Sequence, residues 1–244
     1  MADGIYVYDG GSTDGTWELV QSLDNPRIIA WKQDGKVFQE GLRAEVFNEF
    51  RSRSSPGDWW LQLNADEFYP EDPRGFFSRV PPGHDFVWGI NVEYYLTWKD
   101  VRELDFSRPF PELMPRMKYY NCNWSEPRAF RYRHRLVWDE SCAWPYHAGL
   151  VHPERLVFKH YPYRSPQQIQ MRLDVRRDNR ARGFPGWEHA KETDWKAKIA
   201  DFEKCQYDDG HQPLQIDGAK LPRHLESPWV RCLKRIMRGT RLWP

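Results

Sequence analysis

The chain has no paired cysteines, no long apolar run and no excess of charge of either sign, and each absence removes a class of protein. Its 244 residues include four cysteines, Cys122, Cys142, Cys205 and Cys232, set far apart and without a CxxC pair. Neither a zinc knuckle nor a disulfide framework is suggested. No apolar stretch approaches the roughly 20 residues needed to cross a bilayer, and no cationic apolar leader opens the chain. Lys and Arg number 36 against 35 Asp and Glu, a formal charge of +1, so no global field argues for nucleic acid. Internal repeats and low-complexity tracts are missing too. The expectation is a soluble, cytoplasmic protein with reduced thiols. What the chain has in excess is aromatic surface, 16% of residues with 13 Trp, enough to serve binding as well as a core.

At this length the chain fits one large domain or a domain with an appendage. "GIYVY" (Gly4–Tyr8) reads as a short strand ending at Asp9. Thr13 or Asp14 can cap a helix over "TWELVQSL", where Trp17, Val20 and Leu23 keep helical spacing. "RIIAW" (Arg27–Trp31) predicts a second strand, and Gly41–Arg53 a helix with Leu42, Val46, Phe47 and Phe50 on one face. "WWLQL" (Trp59–Leu63) predicts a third strand, ending at "NADEF". This alternation predicts a parallel sheet with helices on its faces. His84–Trp98 is a long strand candidate, and a Pro-, Arg- and aromatic-rich region of weak periodicity follows to about His152. The last third reads as helical over Ser165–Arg182 and Trp187–Lys204, with a short basic amphipathic segment at Pro228–Met237.

Two short turns carry the chemistry. Asp9 ends the first strand, where open α/β sheets bind ligands, and Gly10, Gly11 and Gly15 let the backbone turn sharply beside it. Such an Asp can accept from a nucleobase or ribose; the plainer alternative is a strand-to-helix turn with capping residues. In "NADEF" (Asn64–Phe68) two adjacent acids end another strand. Their repulsion is relieved by a cation, and oxygen ligands suit Mg²⁺ or Mn²⁺. The alternative is a solvated acidic loop. Both turns would open on one sheet edge, which describes a nucleoside-diphosphate site.

"DGGSTDGT" followed by "WWLQLNADEF" resembles the GT-A glycosyltransferases of family 2, whose patterns are DDGSTDGT and, after an apolar strand, DxDEF. The resemblance covers roughly the first hundred residues. It extends to "FKHYPYRSPQQIQMRL" (Phe158–Leu173), similar to the His-Tyr…Arg-Ser segment in one branch of that family. It implies a GT-A-like, Rossmann-related, mostly parallel sheet with flanking helices at 1–160, with a nucleotide-binding part at 1–100 and an acceptor part at 101–160. A helical C-terminal extension would occupy 161–244. The implied activity is transfer of a sugar, with inversion, from a nucleoside-diphosphate donor to a glycan or other hydroxyl acceptor, with Mn²⁺ or Mg²⁺. The alternative is a degenerate module that binds a nucleotide sugar or glycan without turnover.

On this resemblance Asp9, Gly11, Ser12 and Asn64 face the nucleotide. Asp66 holds the metal, with Glu67 and Phe68 completing its motif. His160 is the second metal ligand, with His147 and His152 as alternatives. Arg164 reaches the donor diphosphate or else packs near the next helix. The base is drawn from Glu93, Glu126, Asp139 and Glu140, with Asp139 preferred just past an apolar run. Three departures stand out. Gly10 and Asn64 replace acids of the family pattern, and the strand and helix that normally precede the glycine turn are missing. The last implies an N-terminally truncated sequence. The Arg-rich stretch Arg172–Arg182 reads as a solvated helix face, with a platform for an anionic acceptor as the alternative. Trp229–Trp243 mixes cationic and apolar residues as interfacial helices do, leaving peripheral contact with the inner membrane face open beside a plain packing helix.

Overall fold

The computed structural model describes residues 2–184, 186–188 and 190–239. The first expectation holds locally. β1 (Ile5–Asp9), α1 (Thr16–Ser22) and β2 (Ile28–Gln33) form one βαβ unit, and β1 pairs with β2 in parallel. The helix cap is Gly15, one residue past the two expected; Asp14 instead accepts from the Thr16 backbone N–H and hydroxyl. The predicted helix at Gly41–Arg53 appears as α2 (Leu42–Phe50) followed by a 3₁₀ turn.

The larger sheet overturns the parallel Rossmann-like expectation. It is a curled, mostly antiparallel sheet of six strands. These are β3 (Trp59–Leu61), β4 (Glu67–Phe68), β5 (Phe86–Tyr94), β6 (Tyr119–Arg131), β7 (Leu156–His160) and β8 (Gln206–Tyr207). Five follow the order β3-β6-β5-β7-β4, and β8 pairs with β6. Only β5 and β7 run parallel within it. The cause is β6. Its 13 residues run antiparallel to both β3 and β5, so β3 is drawn away from β1 and into a different sheet. Register shifts in β5 after Val87 and after Asn91 let the long strand bend, as bulges do. Among the described residues no strand pairs with the outer edge of β1 or of β3. The two sheets meet instead through rings: Tyr6 stacks on Phe50 at 4.2 Å and on Trp60 at 5.7 Å.

Short helices join these strands: α3 (Pro73–Arg79) leads into β5, and α4 (Trp98–Glu103) and α5 (Phe110–Leu113) lie between β5 and β6. The longer α6 (Pro166–Ala181) follows β7. Three apolar clusters hold the layers together. Ile90, Val92 and Tyr94 of β5 pack with Tyr120 and Cys122 of β6 and with Ile169 and Leu173 of α6. Trp195, Ile199, Leu214 and Leu221 lean on the same cluster, so residues either side of position 160 share one core. Ala44 and Phe47 of α2 pack against Phe130, Tyr132, Leu136 and Trp138. Phe76 and Val80, from and just after α3, cover Val87, Ala129 and Leu156.

The first C-terminal helix begins as expected, with the Ser165 hydroxyl accepting from the Gln168 N–H. The helix expected over Trp187–Lys204 is replaced, within its described part, by 3₁₀ turns at Trp195–Lys198 and Phe202–Lys204. Asp194 and Asp201 each cap one of these turns, accepting from the N–H two residues on. Two such local caps interrupt the helical run. The basic segment near the end does form a helix, α7 (Pro228–Gly239). No helix among the described residues is long and apolar enough to cross a membrane.

Candidate functional site

The chemistry gathers where β4, β7 and β5 lie side by side. The register sets Glu67 of β4 opposite His160 of β7, and His160 opposite Glu93 of β5. One row therefore reads acid, imidazole, acid across three strands. Asp66, just before β4, folds back onto this row, and its backbone carbonyl accepts from the Tyr161 N–H at 2.8 Å. Its Oδ2 lies 3.4 Å from His160 Nε2 and 3.1 Å from Arg172 Nη1 on α6. Burial raises the Asp66 pKa, but His160 and Arg172 together outweigh it and hold the carboxyl down at about 2. On its other side, His160 Nδ1 lies 3.4 Å from Asn91 Nδ2 and 3.8 Å from a Glu93 oxygen.

Asp66, Glu67 and His160 each offer a ligand atom within 4.8 Å of the others. Their availability differs. Both Glu67 oxygens are taken by Arg128, at 2.6 and 2.7 Å, and both also accept from Asn64, through its backbone N–H and its side-chain amide at 2.9 Å. Arg128 is fully buried, and its guanidinium lies 3.6 Å above the Phe158 ring centre. Gly89 makes room for it: a Cβ there would come 2.4 Å from Arg128 Cγ. Glu67 is thus a structural carboxylate, and Asp66 with His160 remain as the pair able to hold a cation. One carboxylate oxygen and one imidazole nitrogen fit a cation of intermediate hardness such as Mn²⁺ better than Mg²⁺, which prefers oxygen alone.

The glycine turn is built around Asp9. Its Oδ1 accepts from the N–H groups of Gly11 (2.8 Å) and Ser12 (2.6 Å), with Gln33 Nε2 at 3.4 Å. Burial raises the Asp9 pKa, but these donors outweigh it and hold the carboxyl below its usual value. Gly11 has φ +93°, a conformation that side chains disfavour, and a Cβ there would sit 3.1 Å from the Asp34 carbonyl. The first turn of α2 links this region to the second motif. Glu45 pairs with Lys32 and Lys36, and Lys36 lies beside Gly10, while Arg43 donates to Asn64 Oδ1 at 3.2 Å. Burial and the neighbouring Arg128 lower the Arg43 pKa to about 10. A cavity of about 570 Å³ opens beside this helix end, lined by Lys36, Gly41, Glu45, Glu140 and Ser141 among others.

The remaining expected residues lie elsewhere. Arg164 stacks over Phe110 at 5.5 Å, and the arginine at Asp66 is Arg172. Asp139 sits in an exposed turn and accepts from Ser141. Among the other acids weighed as a base, Glu93 lies beside His160, Glu126 is bound to Arg128, and Glu140 lines the cavity. His147 is exposed, and His152 is buried against Phe76 and His84. Phe68 meets Tyr161 edge-on at 5.8 Å. The sequence alone singles out neither Arg128 nor Arg172. The first lies in an aperiodic Pro-Arg stretch, and the second is one of five arginines in the polar stretch Arg172–Arg182. No family model matches the chain, and no curated protein or solved structure matches it either.

Proposed function

We propose that the protein transfers a sugar from a nucleoside-diphosphate donor to an acceptor hydroxyl, with inversion and with the help of a divalent cation. The observation that carries this reading is the Asp66–His160 pair with Arg172 beside it. A carboxylate and an imidazole converge with a guanidinium, the combination needed to hold a cation and an anionic diphosphate together. When bound, the cation would offset charge on the departing diphosphate. Arg172 offers its planar fork to the same oxygens. The Asp9 turn, linked to the Asn64 turn through α2, offers exposed backbone at Gly10 and Gly11 for the nucleoside part. Glu93, part-exposed and next to His160, is better placed than Asp139 to take the acceptor proton. The reading rests on this chemistry and not on sheet topology.

A second reading has its own support. With Glu67 engaged by Arg128 and Asp66 paired to Arg172, the chain can bind a nucleotide sugar without turning it over. Release of nucleoside diphosphate from UDP- and GDP-sugars in Mn²⁺, beside calorimetric Mn²⁺ binding, tests both. Asp66→Ala and His160→Ala each remove a ligand and are expected to lower Mn²⁺ affinity and turnover by at least the roughly 10–100-fold that loss of a ligand's supporting partner costs. Donor binding without release would favour the second reading. Mn²⁺ binding equal in wild type and both variants would refute the site.

A further inference from the structure

We propose that α7 docks the protein on an anionic lipid bilayer, with the outward apolar stripe of the helix buried among the acyl chains. This inference is independent of the sugar-transfer reading. An ordinary surface helix turns its apolar side to the core and its charges to water; α7 does the reverse. Trp229 is 85% exposed, Leu233 56%, Ile236 58% and Val230 42%. At i, i+4 and i+7, Trp229, Leu233 and Ile236 share one face.

The cations occupy the opposite arc, and part of that arc faces the body. Lys234 Nζ donates to the Gly149 carbonyl at 2.7 Å and pairs with Glu226, while Arg238 pairs with Asp85. Asp85 is shared with Arg131 and Arg133, so positive charge is in excess under the helix. A cavity of about 230 Å³ there is lined by Lys234, Arg235 and Arg238. The helix holds Arg231, Lys234, Arg235 and Arg238 and no acid. Among the described residues, Arg231 and Arg235 form no ion pair.

This charge pattern selects the occupant. A second copy would bury the stripe but leave the excess cations of both helices without a counter-charge. A nucleic acid would meet the cations but leave Trp229 and Leu233 in water. An anionic bilayer satisfies both, taking the stripe below the headgroups and the arginines at their level. With 12 residues, α7 is too short to span the bilayer and lies along it.

The test is flotation of the full chain with vesicles of phosphatidylglycerol and phosphatidylethanolamine in equal parts, against pure phosphatidylcholine vesicles. Binding is expected on the anionic vesicles and should weaken with added salt. Trp229→Ser with Leu233→Ser should cut it by about tenfold or more. Arg231→Gln with Arg235→Gln should remove the preference for anionic lipid. Met171→Ser with Val175→Ser, at exposed apolar sites on α6, should leave binding unchanged. Circular dichroism checks that each variant folds. Absence of flotation, or flotation that survives the Trp229/Leu233 change, overturns the proposal. So does a concentration-dependent dimer abolished by that same change, which would mean a second copy covers the stripe.

Discussion

Replacing Arg128 by Met should destabilise the protein severely, and the reason lies in what is left behind. The guanidinium is fully buried and makes two short bonds to Glu67 with no water-exposed face. Methionine restores much of the volume over Phe158 but supplies no donor. Glu67, itself 4% exposed, keeps only the two Asn64 donors. Removing one member of a buried ion pair costs about 3–5 kcal/mol, against a total stability of about 5–15 kcal/mol. In urea, with a slope of about 3 kcal/mol/M, the midpoint should fall by more than about 1 M. Adding Glu67→Gln to this variant removes the stranded charge and should recover about 2 kcal/mol. A midpoint loss worth under about 1 kcal/mol, or single-variant effects that simply add, would refute the clamp.

Asp66 should impose a pH dependence. Its carboxyl is held down at about 2 instead of 3.8 by His160 and Arg172, a difference worth on the order of 2 kcal/mol. Because the folded-state value is depressed, that contribution is complete above about pH 5 and is lost as pH falls toward 2. Asp66→Asn should therefore trail wild type at pH 7 and close most of the gap only near about pH 2 in urea titrations; a gap that stays constant refutes the assignment. Gly89→Ala should cost about 1–3 kcal/mol through overpacking against Arg128, seen as a Tm several degrees lower, and an unchanged Tm would contradict the close approach.

The N-terminal βαβ unit is legible because its apolar period switches cleanly from strand to helix and back. The sheet topology is not. β6 carries Glu126, Pro127 and Arg128 in a row, a run that reads as loop, yet Arg128 is the most enclosed large side chain in the strand. A buried charge erases the alternation on which strand prediction depends. The expected helix after Trp187 fails because Asp194 and Asp201 act as caps, a local bond that spacing alone does not reveal. In the site, the Asp66–His160 pair is reached through the resemblance. Arg172 is hidden by its neighbours: five similar arginines give no sign which one turns inward.

The outer edge of β3 has a consequence for handling. Trp59 and Leu61, which alternate with the residues bonded to β6, present backbone donors and acceptors that no described strand takes up. A short aromatic edge of this kind is a template on which any extended chain can add. Losses on storage should therefore follow protein concentration before they follow temperature, and a charged replacement at an outward-facing position of that strand would be the first remedy for precipitation.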